Sequence, residues 1–140
     1  SIHARAAYSW FSRIQGNSPR ELPSDMDTRR RLCGILKDLG LDITNYSIIP
    51  DSDHKSPAAF LVHSPYEGCT FELPWEEESM GTKKLLSLLP SVLASLDDGS
   101  LMMADDLDCI LHPHALRYLI ALYANHEKNP HNAQTAIHRP

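Results

Sequence analysis

Apolar residues recur along this chain at two periods, and those periods divide it into elements. Ile2, Ala6, Ala7, Trp10, Phe11 and Ile14 follow helical spacing, and Gly16 then offers the positive φ that commonly ends a helix. This predicts a first amphipathic helix. After a loop with Pro19 and Pro23, Ser24-Asp25-Met26-Asp27 has the form of a capping box before a stripe of Leu32, Ile35, Leu36 and Leu39, and Gly40 closes the second helix. From Gly81 to Leu96, Leu85, Leu88, Leu89, Val92, Leu93 and Leu96 make one stripe. Pro90 lacks an N–H, so it must kink that helix or begin another, and Asp97-Asp98-Gly99 ends it. Pro113 suits the first turn of a last helix with Leu116, Leu119, Ile120 and Tyr123 on its apolar face, stopped by Asn129-Pro130.

The other period is that of strands. Ala58 to His63 and Cys69 to Leu73 are β-prone runs separated by Ser64-Pro65-Tyr66-Glu67-Gly68, with proline and glycine placed as a type I turn places them. A hairpin follows. Phe71 and Leu73 alternate with Thr70 and Glu72, which gives one buried and one solvated face and puts the hairpin near a sheet edge. Ser100 to Ala104 is a short apolar run leading directly into acids, the pattern of a buried parallel strand whose C-terminal end reaches a site. The expected architecture is a single α/β domain over residues 1–140, helical over 1–57 and α/β over 58–140. It holds a small mixed sheet, a hairpin and about four helices.

Composition adds exclusions. The chain is 42% hydrophobic and 22% charged, close to the average of folded domains, so disorder is not indicated. Leu85 to Leu96, the longest strongly apolar stretch, is interrupted by Ser87, Pro90, Ser91 and Ser95 and is too short to cross a bilayer, which argues against a membrane partner. Three scattered cysteines (Cys33, Cys69, Cys109) make no disulfide framework, and Ser1-Ile2-His3-Ala4-Arg5 lacks the order of a secretory signal, so a cytoplasmic location is the expectation. A net charge of -5 argues against a broad nucleic-acid surface. Arg29-Arg30-Arg31 is the only basic cluster and reads as a solvated helix face.

Three segments carry candidate chemistry in a fixed order. They are Glu77-Glu78-Ser79-Met80-Gly81-Thr82 opening a helix, Leu101-Met102-Met103-Ala104-Asp105-Asp106-Leu107-Asp108, and Leu111-His112-Pro113. Ser79 and Gly81 stand at a helix N-terminus, where unpaired amides and the helix dipole favour a phosphate and glycine lets a backbone approach; the plain alternative for Ser79 and Thr82 is an ordinary cap. Asp105, Asp106 and Asp108 follow the apolar run at a strand end that reaches a site, or else cap a turn or the helix starting at Pro113. A zinc site from Cys109, His112 and His114, with Asp105 or Asp108, lacks standard spacing. Ser79-Met80-Gly81 matches only part of a nucleophile elbow.

In that order the segments resemble the signature loop, Walker B strand and following loop of the ABC-type ATPases related to the abortive-infection and overcoming-lysogenization-defect proteins of bacteria. In that family the signature reads Glu-Ser-x-Gly-Thr, and Walker B ends in Asp-Glu-Leu-Asp shortly before Leu-His-Pro. Tyr8-Ser9-Trp10-Phe11 and Leu39-Gly40-Leu41-Asp42-Ile43 are similar to the family's region upstream, and Asn129-Pro130-His131-Asn132-Ala133-Gln134 to its approach to the last strand. The resemblance implies that Ser79, Gly81 and Thr82 meet the γ-phosphate of ATP bound to an opposite subunit. It makes Asp105 the residue that holds magnesium, Asp106 the residue that activates water, and His138 the candidate switch histidine.

The chain also departs from the family. Asp106 replaces a glutamate and is one methylene shorter, which weakens hydrolysis where positioning to about an ångström matters. Between Gln134 and His138 lie Thr135-Ala136-Ile137, fewer residues than the family has; a changed reading frame or a non-native tail after Gln134 accounts for the ending as well. No Gly-x-x-x-x-Gly-Lys-Ser/Thr occurs, and the six glycines are scattered, so no backbone nest wraps a triphosphate. The expectation is therefore a fragment or truncated relative of an ATPase, using ATP and magnesium in its complete form but unable to hydrolyse ATP alone. Its expected partner is a second copy or a P-loop-bearing half, with nucleic acid involved only indirectly. The alternative is a non-catalytic interaction module. Either way, an exposed apolar face is expected where the missing half would pack.

Overall fold

The computed structural model describes residues 8–11, 19, 22–50, 58–105 and 112–138. The chain is mixed α/β, and it divides into two compact units, Gln15–Pro90 and Ser1–Ile14 with Ser91–Pro140, so the boundary falls at Pro90.

In the first unit, helix α1 (Met26–Asp38) packs on an antiparallel sheet of β2 (Ile43–Ile49), β3 (Ala58–Tyr66) and β4 (Cys69–Pro74), in that order. Helix α1 begins at Asp25, one residue later than the sequence suggested, because the Asp25 carboxylate accepts from both the N–H and the hydroxyl of Thr28. It ends as expected at Gly40. With φ at 83°, Gly40 lets its N–H reach Lys37 O while Leu41 N–H reaches Leu36 O, a Schellman close that satisfies two terminal carbonyls. Three residues of the predicted stripe, Leu32, Ile35 and Leu36, are in the core, while the fourth, Leu39, is the half-buried C-cap. They meet a sheet face that contributes Ile43, Tyr46, Ala59 and Leu61, all buried. Tyr46 also donates its hydroxyl to Pro23 O at 2.5 Å, tying β2 to the loop ahead of α1.

The sequence reading passed over strand β2. A register shift between Ile43 and Asn45 puts two exposed residues, Thr44 and Asn45, between buried Ile43 and Tyr46, so the alternation that marks a strand is lost. The hairpin of β3 and β4 is present, but its turn is Glu67-Gly68 between paired Tyr66 and Cys69, with Pro65 still in the strand. Gly68 takes φ 83°, which a type I turn does not require. Trp75–Glu77 form one 3-10 turn, and then α2 (Met80–Asp98) starts. Pro90 lies inside α2 without ending it, and every member of the predicted stripe, together with Leu86, is buried.

The second unit has a three-stranded, fully parallel sheet in the order β1 (Tyr8–Phe11), β5 (Leu101–Asp105), β6 (Gln134–His138). Tyr8–Phe11 is thus a strand where helical spacing had predicted a helix. Tyr, Trp and Phe are strand formers, and pairing with β5 from Leu101 to Ala104 overrides the weak period. The remaining positions of that expected helix lie outside the described residues. The strand at Leu101 is parallel, as its apolar run into acids suggested, and central. The described strands make one parallel and one antiparallel sheet instead of a single mixed one, and three α-helices stand among the described residues. Helix α3 (Pro113–Ala124) starts at the expected proline but ends before Asn125, ahead of the expected stop, and buries Leu116, Leu119 and Leu122 while Ile120 is exposed.

Candidate functional site

Five of the six residues expected to act on nucleotide fall into two groups, one in each unit. The first group is at the start of α2. Ser79 Oγ accepts from Thr82 N–H at 3.2 Å and donates to Thr82 Oγ1 at 2.9 Å, while Ser79 O takes the first helical hydrogen bond from Lys83 N–H at 3.0 Å. Ser79 is therefore the N-cap of α2, the plain role its position allowed. Gly81 sits in the first turn with nothing within 4 Å of where a Cβ would stand. Among the described residues, no neighbour requires a glycine there. Met80 beside it is 53% exposed.

The second group is at the C-terminal ends of two parallel strands. Asp105 ends β5, His138 ends β6, and the register pairs them directly. The short spacing between Gln134 and His138 matches the span from Leu101 to Asp105, so the two strands finish level. Asp106, expected to activate water, lies outside the described residues, as do Asp108 and Cys109 of the zinc alternative. His112 Nδ1 accepts from His114 N–H at 3.1 Å and caps α3.

The loops that enter β5 and β6 are fixed by polar side chains inside the unit. Buried Ser95 donates its hydroxyl to Ser100 O at 2.9 Å, and Asp98 accepts from Ser100 N–H at 3.0 Å. Buried Asn129 donates to Tyr123 O and Ala133 O, at 2.7 and 2.9 Å, and accepts from Ala133 N–H at 2.8 Å. Asn129 had been read as part of a helix stop; its amide in fact spans the turn that delivers β6.

One cluster went unnoticed in the sequence. His63, on the buried face of β3, places Nδ1 2.7 Å from Asp42 Oδ1, while Nε2 meets Glu78 Oε1 in a short hydrogen bond. Its ring stacks on Phe71 of β4, centroids 5.2 Å apart and planes 5° from parallel. His63 and Glu78 are both 8% exposed. Burial alone would lower the imidazole pKa, but the hydrogen bonds and negative charges of Glu78 and Asp42 outweigh it and hold the pKa above its ordinary value. The legible signal was the alternation Ala59, Leu61, His63 on a core-facing strand, where a histidine demands partners; Asp42 and Glu78 gave no local hint.

The chain matches no protein-family model, no curated protein and no solved structure with which it was compared. Among the described residues, no helix is long and apolar enough to cross a membrane.

Proposed function

We propose that this chain is part of an ABC-type ATPase head, the portion that offers a signature loop and a Walker B strand, and that it depends on a P-loop supplied elsewhere. The observation that carries this reading is Gly81. A glycine in a helix costs roughly 0.5–1 kcal/mol relative to alanine. Here no contact among the described residues accounts for it, since none of them stands within 4 Å of the missing Cβ. Space next to exposed amides at the N-terminus of a nineteen-residue helix suits the close approach of an anion. The level ends of β5 and β6 add support, because Asp105 and His138 occupy neighbouring positions at one sheet edge.

The residues present fit magnesium and a triphosphate only in part. Asp105 would hold the metal and Ser79, Gly81 and Thr82 would meet the terminal phosphate; bound ATP would supply the phosphoryl group and its magnesium the charge neutralisation. The chain's own contribution is orientation: the Ser79 cap fixes the loop, and the Asn129 and Ser95 clamps fix the starts of the strands that end in His138 and Asp105. With no P-loop sequence, the isolated chain is expected to show no magnesium-dependent ATP turnover. Turnover by the purified chain alone would overturn this reading. A second reading, an interaction module without turnover, draws on the Ser79 hydroxyl, whose hydrogen bonds are already satisfied by Thr82 without any nucleotide.

A further inference from the structure

We infer that the Asp42–His63–Glu78 chain is a proton-operated catch on the N-terminus of α2: it is closed when His63 carries both ring protons and released when one is lost. The geometry stands within the unit Gln15–Pro90 and does not rest on the ATPase reading. Both ring nitrogens face a carboxylate oxygen. A neutral imidazole has one N–H, so with both carboxylates ionised it can donate to only one of them and must turn a lone pair toward the other. The doubly protonated ring satisfies both, and the cluster then carries one net negative charge in place of two.

The consequence reaches α2 because Glu78 is the residue before the Ser79 cap. Its N–H donates to Trp75 O at 3.1 Å, and among the described residues its buried carboxylate is held by His63. Loss of the imidazolium charge leaves the buried Glu78 carboxylate without its counter-charge whichever ring nitrogen keeps the proton, which favours moving Glu78 toward water and pulling the Ser79–Thr82 turn with it. The charged and titratable groups that face His63 are Asp42, ahead of β2, and Glu78, ahead of α2; from β4 it meets the uncharged Phe71. Nothing on those elements opposes the imidazolium. The catch places control by proton concentration on the loop that carries Ser79, Gly81 and Thr82, whatever that loop binds.

Nitrogen-15 spectra of the 140-residue chain test this, with the ring assigned through His63→Asn. At pH 6.5, the ordinary imidazole midpoint, both His63 nitrogens should be protonated in most molecules. As pH rises past the ring's midpoint, the amide signals of Ser79, Gly81 and Thr82 should shift in step with it. In Glu78→Gln the ring midpoint should fall and those amides should lose the shared inflection. A His63 that is mostly singly protonated at pH 6.5, or amides at 79–82 that ignore its titration, would overturn the proposal. Should Glu78→Gln fail to fold, the unsubstituted chain decides alone. ATP is absent throughout, so the outcome is separate from that of the ATPase reading.

Discussion

Asp105 and His138 are paired in the parallel register of β5 and β6, each the last residue of its strand. Their alignment is set at the opposite ends of the strands. There, Gln134 N–H donates to Ser100 O at 3.4 Å and Asn129 brackets Ala133 through three hydrogen bonds. A fault in that turn would slide His138 along β5.

Asn129→Ala should therefore loosen β6. It removes three hydrogen bonds and leaves backbone groups of Tyr123 and Ala133 without their partner, a loss of about 2–4 kcal/mol. Amide hydrogen exchange across Gln134–His138 should accelerate by roughly 30-fold or more. Protection unchanged from the parent chain would mean that the turn holds without Asn129.

Two glycines should respond to alanine in opposite ways. Gly99 has φ 71°, and a Cβ there would stand 2.7 Å from His131 O, so Gly99→Ala should cost about 2 kcal/mol or more. Gly81 is helical and unobstructed, so Gly81→Ala should be neutral or stabilise by up to about 1 kcal/mol. Thermal melts of the two variants check the contrast. If Gly81 serves an approaching phosphate, Gly81→Ala gains stability while losing nucleotide-linked function.

The difference between those glycines shows how far sequence reasoning reaches. The stripes of α1 and α2, the proline that starts α3, the hairpin and the parallel strand at Leu101 were all legible, because each rests on local periodicity or a cap. Tyr8–Phe11 was misread because its aromatic residues fit either period over so short a run, and only its pairing with β5 decides. The bulge hid β2. The Ser79 motif was visible, and so was its simpler role as a cap. The Asp42–His63–Glu78 cluster was not, since it joins residues 21 and 15 positions apart that only the folded sheet brings together.

Ser79 separates capping from phosphate contact. Ser79→Ala should cost about 1 kcal/mol through loss of the cap, whereas Ser79→Asp should keep it within about 0.5 kcal/mol, since aspartate caps as well as serine. An anion near the loop would be repelled by the added carboxylate. Ser79→Asp should then be stable yet defective in any nucleotide-dependent activity of the complete protein. Equal activity in Ser79→Asp and the parent would confine Ser79 to capping.

The His63 cluster gives stability a pH dependence of definite sign. Because the folded-state pKa is raised, the stabilisation is full below the ordinary imidazole value and is lost as pH rises through the raised folded value. Urea midpoints for the unit Gln15–Pro90, followed by Trp75 fluorescence, should fall across that window. His63→Gln should flatten the slope. Glu78→Ala should cost about 3–5 kcal/mol at any pH where His63 is charged, since it strips a partner from a buried pair.

Magnesium-dependent ATP binding by the product of the complete reading frame that encodes this chain, compared by calorimetry with its Asp105→Asn variant, addresses the proposed function most directly. As part of an ABC-type head, the complete protein should bind ATP with magnesium, and Asp105→Asn should weaken that binding at least about tenfold. No magnesium-dependent binding, or binding that Asp105→Asn leaves unchanged, would contradict it.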